Sequence, residues 1–152
     1  VELTPINEWK FFGVLKDGTP IIGDVNKYNE VKSNLMHAVG ADSGYLVENG
    51  VPITVNADGG CHSEDTVALR TAIGIKEDGS VVMTVADGRS TISNGLVLTD
   101  LAKYMAEQGC VTAVNLDGGG SSAISIKDMK KIHLQLLIIH QMVKKEKSVI
   151  RY

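Results

Sequence analysis

Aromatic residues make up only 5% of this 152-residue chain, with one Trp, four Tyr and two Phe. So few rings leave little for a sugar-stacking platform, and Trp9, Phe11 and Phe12 are expected in the core. Two cysteines, Cys61 and Cys110, are too few for a disulfide framework. Their spacing leaves pairing open, and buried free thiols are the simpler expectation. No apolar run approaches the roughly 18 residues of a membrane-spanning helix, so the chain reads as soluble. A net charge of -3 gives no electrostatic case for nucleic acid. No Lys follows the glycine triplet near the end, which makes a Walker nucleotide loop a weak rival, and no loop has EF-hand spacing. The chain opens on Val1 without a visible signal peptide, as expected of a cut or cloned fragment, which leaves secretion open. At 43% apolar residues it can form one domain with a core and is too short for two of ordinary size.

The most distinctive stretch is AVNLDGGGSS, Ala113 to Ser122. An apolar, strand-like approach ends in a carboxylate, three glycines and two hydroxyls. Ordering three glycines costs much backbone entropy, so such a loop points to positive φ or to bare N–H groups approaching a ligand such as phosphate; a merely geometric turn is the competing reading. A second cluster, Arg70 to Arg89, reads as a hairpin turning at Asp78-Gly79. It brings Arg70 at the start of one strand beside Asp87 and Arg89 at the end of the other.

Taken in order, RTAIG (Arg70 to Gly74), DGR (Asp87 to Arg89), LTDLAKYMAEQGC (Leu98 to Cys110) and NLDGGGSS (Asn115 to Ser122) resemble the phosphodiester glycosidase family. LVENG, Leu46 to Gly50, echoes it as well. The resemblance spans roughly Leu69 to Ser122. It implies a hydrolase that cleaves a sugar-1-phosphodiester and releases the sugar from a phosphorylated glycan or cell-wall polymer, in a secreted or bacterial cell-envelope setting. It also implies an upstream segment with an Asn-and-aromatic motif. None is found before Trp9, so the domain, residues 1–126, is expected to be N-terminally incomplete and the activity of such a fragment uncertain.

The remaining elements follow the same patterning. Trp9 to Gly23 reads as a hairpin about Asp17-Gly18, and Tyr45 to Val55 as another about Glu48-Asn49-Gly50. Asn26 to His37 reads as a short amphipathic helix through Tyr28, Val31, Leu35 and Met36, with His37 left out of the site. Asn94 to Gly109 reads as a helix with Thr99 as N-cap and Gly109 as C-cap, leading into a buried strand at Val111 to Val114. Together these give an α+β fold: a mixed, largely antiparallel sheet built from hairpins, with a few packed helices.

The last 26 residues differ from the rest. All 16 glycines lie at or before Gly120, and Lys127 to Tyr152 carries seven basic residues against two acids, while the preceding part carries eight against 16. Residues 127–152 are therefore set apart as an atypical basic tail. Its composition is expected to come from a displaced reading frame, which would leave it exposed or weakly docked; a basic interaction tail is the rival.

A glycosyl phosphodiester already has a good leaving group, so its hydrolysis needs charge management and an activated nucleophile. The candidate catalytic residues are Asp87, Asp117 and Arg70: one carboxylate to stabilise or attack an oxocarbenium-like centre, the other to activate water, and the arginine to contact phosphate or pair with Asp87. Candidate substrate- and phosphate-binding residues are Thr71, Arg89, Asn115, Gly118, Gly119, Gly120, Ser121 and Ser122. Asp58, His62, Glu64 and Asp65 in the loop before Arg70 have ligand-type side chains. No metal ligand is assigned, and a divalent cation is kept only as an optional cofactor. The expected partner is a sugar phosphodiester or glycan, with no nucleic acid and no membrane span; oligomeric state is left open. The alternatives are a non-catalytic carbohydrate- or phosphate-binding cell-surface module, which would not need both aspartates, and a purely structural surface domain.

Overall fold

Strand-forming alternation is clearest in VVMTVA, where Val82, Thr84 and Ala86 are buried and the residues between them half-buried. In the computed structural model, which describes residues 9–41, 44–53, 66–88, 94–122, 124, 137–140 and 148–151, this stretch is the seventh strand. The order is β1 (Phe11–Leu15), β2 (Pro20–Gly23), α1 (Val25–Val31) with a 3-10 turn (Lys32–Asn34), β3 (Leu35–Gly40), β4 (Tyr45–Glu48) and β5 (Val51–Pro52). Then come β6 (Arg70–Lys76), β7 (Val81–Ala86), α2 (Leu98–Glu107), β8 (Cys110–Leu116), a 3-10 turn (Gly119–Ser121), β9 (Leu137–His140) and β10 (Ser148–Arg151).

The strands form a small sheet, β2-β1-β3, and a large one, β10-β9-β7-β6-β8-β4-β5. Every named pairing is antiparallel except β7 with β9. The α+β architecture of hairpins and packed helices expected from the sequence is therefore the one observed.

Register sorts the central side chains into two layers, because residues opposite one another share a face. Ala72 lies opposite Thr84 and Asn115, and Gly74 opposite Val82 and Ala113. This face packs against α2 through the fully buried Leu101, Ala102 and Met105. Truncating Leu101 to Ala would cost about 2–5 kcal/mol. The other face carries Ile73 opposite Met83 and Val114, and packs with Phe12 and Ile22 of the small sheet. The molecule is layered as helix, large sheet, small sheet.

Three expectations change. Trp9 is 48% exposed, because it precedes the first paired residue of β1, while Phe11 is buried. The helix begun at Asp24, whose Oδ1 accepts from Lys27 N at 3.0 Å, stops at Val31; Leu35 to Gly40 instead pair with β1, which offers a row of main-chain bonds that a longer helix would forgo. Val97, not Thr99, holds the N-cap position of α2, and Leu101 N donates to Val97 O at 3.1 Å to close the first turn. The basic tail contributes β9 and β10, with Ile138 opposite Val85 on the otherwise open edge of β7. Cys110 is a buried free thiol; Cys61 lies outside the described residues.

Candidate functional site

The hairpin and the sheet order decide where the chemistry gathers. Arg70, the first residue of β6, lies opposite Ala86, the last of β7, and Thr71 lies opposite Leu116, the last of β8. Asp87 and Asp117 are each the first residue past a strand, so they leave the sheet on either side of the start of β6. Strands two places apart are separated by roughly 10 Å, a span that one bound sugar phosphodiester can bridge. Brought to one rim are Arg70, Thr71, Asp87, Asp117, Gly118, Gly119, Gly120, Ser121 and Ser122.

Both aspartates use one oxygen on the amide that follows. Half-buried Asp87 accepts from Gly88 N at 2.8 Å, and exposed Asp117 accepts from Gly118 N at 2.9 Å. This local bond fixes the carboxylate relative to its own loop. The glycine loop is stitched to the residue before β6, since Gly119 N donates to Leu69 O at 3.1 Å. A Cβ on Gly118 would lie 2.7 Å from the same carbonyl, and Gly119 has φ +64, so both positions require glycine. Ser122 N closes onto Gly119 O at 3.2 Å, and Thr71 Oγ1 donates to Ser122 Oγ at 3.1 Å. The amides of Gly118 and Gly119 are thus already engaged within the protein, so the supply of loop donors is narrower than the sequence implies.

The family described as phosphodiester glycosidase matches residues 2–145. The chain belongs to the phosphodiester glycosidase family. Mouse N-acetylglucosamine-1-phosphodiester alpha-N-acetylglucosaminidase is 32% identical over 125 residues, covering 73% of this chain and 24% of the mouse protein. The human protein of the same name is 33% identical, with the same coverage of each chain. The chain therefore spans about a quarter of the length of these relatives. The solved zebrafish catalytic domain, auto-inhibited by its pro-peptide, superposes with a TM-score of 0.63 at 26% identity, covering 80% of this chain and 43% of that one.

At this rim of the phosphodiester glycosidase-family chain, two predicted residues lie below the surface. Arg70 is 4% exposed; its Nε donates to Leu96 O at 3.1 Å and its Nη2 to Thr66 O at 2.6 Å. Asn115 is 5% exposed, on the face covered by α2. Arg89 and the loop side chains Asp58, His62, Glu64 and Asp65 lie outside the described residues. Among the described residues no group of three His, Cys, Asp or Glu is placed to hold a metal. Sequence reasoning missed the carbonyls of Thr66, Leu69 and Leu96, because a main-chain acceptor has no residue signature. Gly95, with φ +102 against Ala68, is the one hint that this backbone approaches another segment closely.

Proposed function

We propose that this protein hydrolyses glycosyl phosphodiesters, freeing the sugar of a phosphorylated glycan or cell-wall polymer outside the cytoplasm. Asp87 and Asp117 divide the chemistry: one stabilises or attacks the oxocarbenium-like centre and the other activates water. The Asp117 loop, with the Gly120 amide and the Thr71–Ser122 hydroxyl pair, borders the phosphate, and Arg89 supplies cationic contact. The observation that carries this reading is the arrival of Asp87 and Asp117 on opposite sides of β6 at one rim, in a chain of this family.

The decisive assay uses a synthetic sugar-1-phosphodiester of p-nitrophenol, with and without chelator. Cleavage at the anomeric C–O bond yields free sugar and p-nitrophenyl phosphate, the expected result. Cleavage at the aryl P–O bond yields sugar phosphate and p-nitrophenol, and cleavage at the sugar P–O bond yields free sugar with the solvent oxygen of 18O-labelled water carried in p-nitrophenyl phosphate; either would move the reaction to a phosphodiesterase. Binding of the probe without turnover would make the protein a carbohydrate- or phosphate-binding module.

A further inference from the structure

The four residues leading into β6, Thr66 to Leu69, and its first residue, Arg70, join segments that the sequence keeps far apart. Ala68 forms a two-bond bridge with Leu96: Ala68 N donates to Leu96 O at 3.2 Å, and Leu96 N to Ala68 O at 2.9 Å. Leu69 O receives Gly119 N from the loop beyond β8. The Arg70 side chain then spans the same junction. Its Nε shares the Leu96 carbonyl with Ala68 N, and its Nη2 takes the Thr66 carbonyl. Thr66 is where the chain arrives from the loop before β6, and Leu96 is where it returns after Asp87. Gly95 permits the approach, since a Cβ there would overlap the Ala68 carbonyl.

We propose that Arg70 is a positioning residue. Its guanidinium buckles the roots of the two rim loops together and does not meet the phosphate of the substrate. An arginine that binds phosphate presents its planar fork to solvent, whereas this one is 4% exposed and directs Nε and Nη2 to carbonyls of separate segments. A lysine keeps the charge but, as a point donor, does not reproduce a rigid fork held between two acceptors. The consequence for turnover rests on the reading above that this rim is the active site.

The test combines Arg70→Lys with one measurement on the unaltered protein. In Arg70→Lys, hydrogen exchange at the Ala68 and Leu96 amides should quicken at least about tenfold. On the synthetic phosphodiester kcat should fall about tenfold or more, with KM within about twofold, the pattern of lost alignment rather than lost binding. In the unaltered protein the Arg70 Nε–H resonance should stay in place as inorganic phosphate is titrated in. Unchanged exchange at both amides would overturn the buckle. So would a raised KM with kcat retained, or an Nε–H signal that follows phosphate. If the unaltered protein turns over no phosphodiester, the functional reading fails while exchange and the Nε–H signal still decide the buckle; if Arg70→Lys does not fold, the Nε–H signal decides it.

Discussion

The two ends of the β6–β7 hairpin are built from similar residues to opposite purposes. At the far end Lys76 N donates to Ser80 O at 2.9 Å and Gly79 N to Lys76 O at 3.0 Å, so the turn satisfies itself. Its exposed Asp78 accepts from Ser80 N at 2.9 Å, and that main-chain bond holds the carboxyl below its ordinary value. At the near end Asp87 and Asp117 each accept from the amide of the next residue, and the segments beside them are tied to one another through Arg70, Ala68 and Leu69. An aspartate that caps a closed turn stabilises it; in the proposed function, those at the rim between segments serve the chemistry. Each carboxylate accepts from a main-chain amide within two residues of it, and the surroundings differ.

The largest expected effect separates these aspartates. Asp87→Asn or Asp117→Asn should lower turnover at least about 10²-fold with an almost unchanged melting temperature, whereas Asp78→Asn should leave turnover intact. Asp78→Asn should instead act on stability. A lowered carboxyl contributes above the ordinary aspartate pKa, about 3.9, and loses that contribution as pH falls through its folded value, so the variant's acid-melting profile should be flatter there. An active Asp117→Asn would make that residue a brace of its loop.

Next in size is a pair of glycines. Gly118→Ala meets the Leu69 carbonyl and should cost about 1–3 kcal/mol while also lowering turnover, because it pushes the loop away from β6. Gly79→Ala has open space but φ +82, and should cost about 1–2 kcal/mol with turnover unchanged. Equal losses of activity in both would show that general destabilisation, not rim geometry, is being read.

The smallest effect concerns the closed end alone. Cys110 begins β8 opposite Lys76, and burial pushes its thiol up to about 11. The neutral thiol is the form the fold favours, so its contribution is present below the ordinary thiol range and lost as pH rises toward that value. Peptide mapping should find Cys110 unmodified by iodoacetamide in the folded protein at pH 8 and modified in denaturant.

Much of this was legible from residue pattern. Asp78-Gly79 between two β-rich runs gave the hairpin and hence the adjacency of Arg70 and Asp87, and Leu101, Ala102 and Met105 marked the buried face of α2. Asp117 was legible as a strand end, but its place across β6 from Asp87 is a matter of sheet order, which local pattern does not carry. The same limit explains Leu35 to Gly40: their spacing suits a helix, and only the free edge of β1 makes them a strand. The charge of Arg70 is plain in the sequence, but its Leu96 and Thr66 acceptors are main-chain carbonyls that residue pattern does not reveal. The tail read as foreign by composition, yet its Ile138-Ile139 run suits an open strand edge. A displaced frame predicts an inserted or deleted nucleotide near codon 131 on resequencing, and an uninterrupted frame would retire that idea.

Hydrogen-bonded on both flanks, β6 has its length dictated from two directions at once. One residue inserted between Arg70 and Lys76 would turn over every side chain on one side of the insertion. Arg70 would then pass to the layer of Phe12 and Ile22, and Thr71 would come to lie under α2. Over evolutionary time, gains and losses of residues are expected to collect outside β6, so that the strand between the two carboxylates keeps its length.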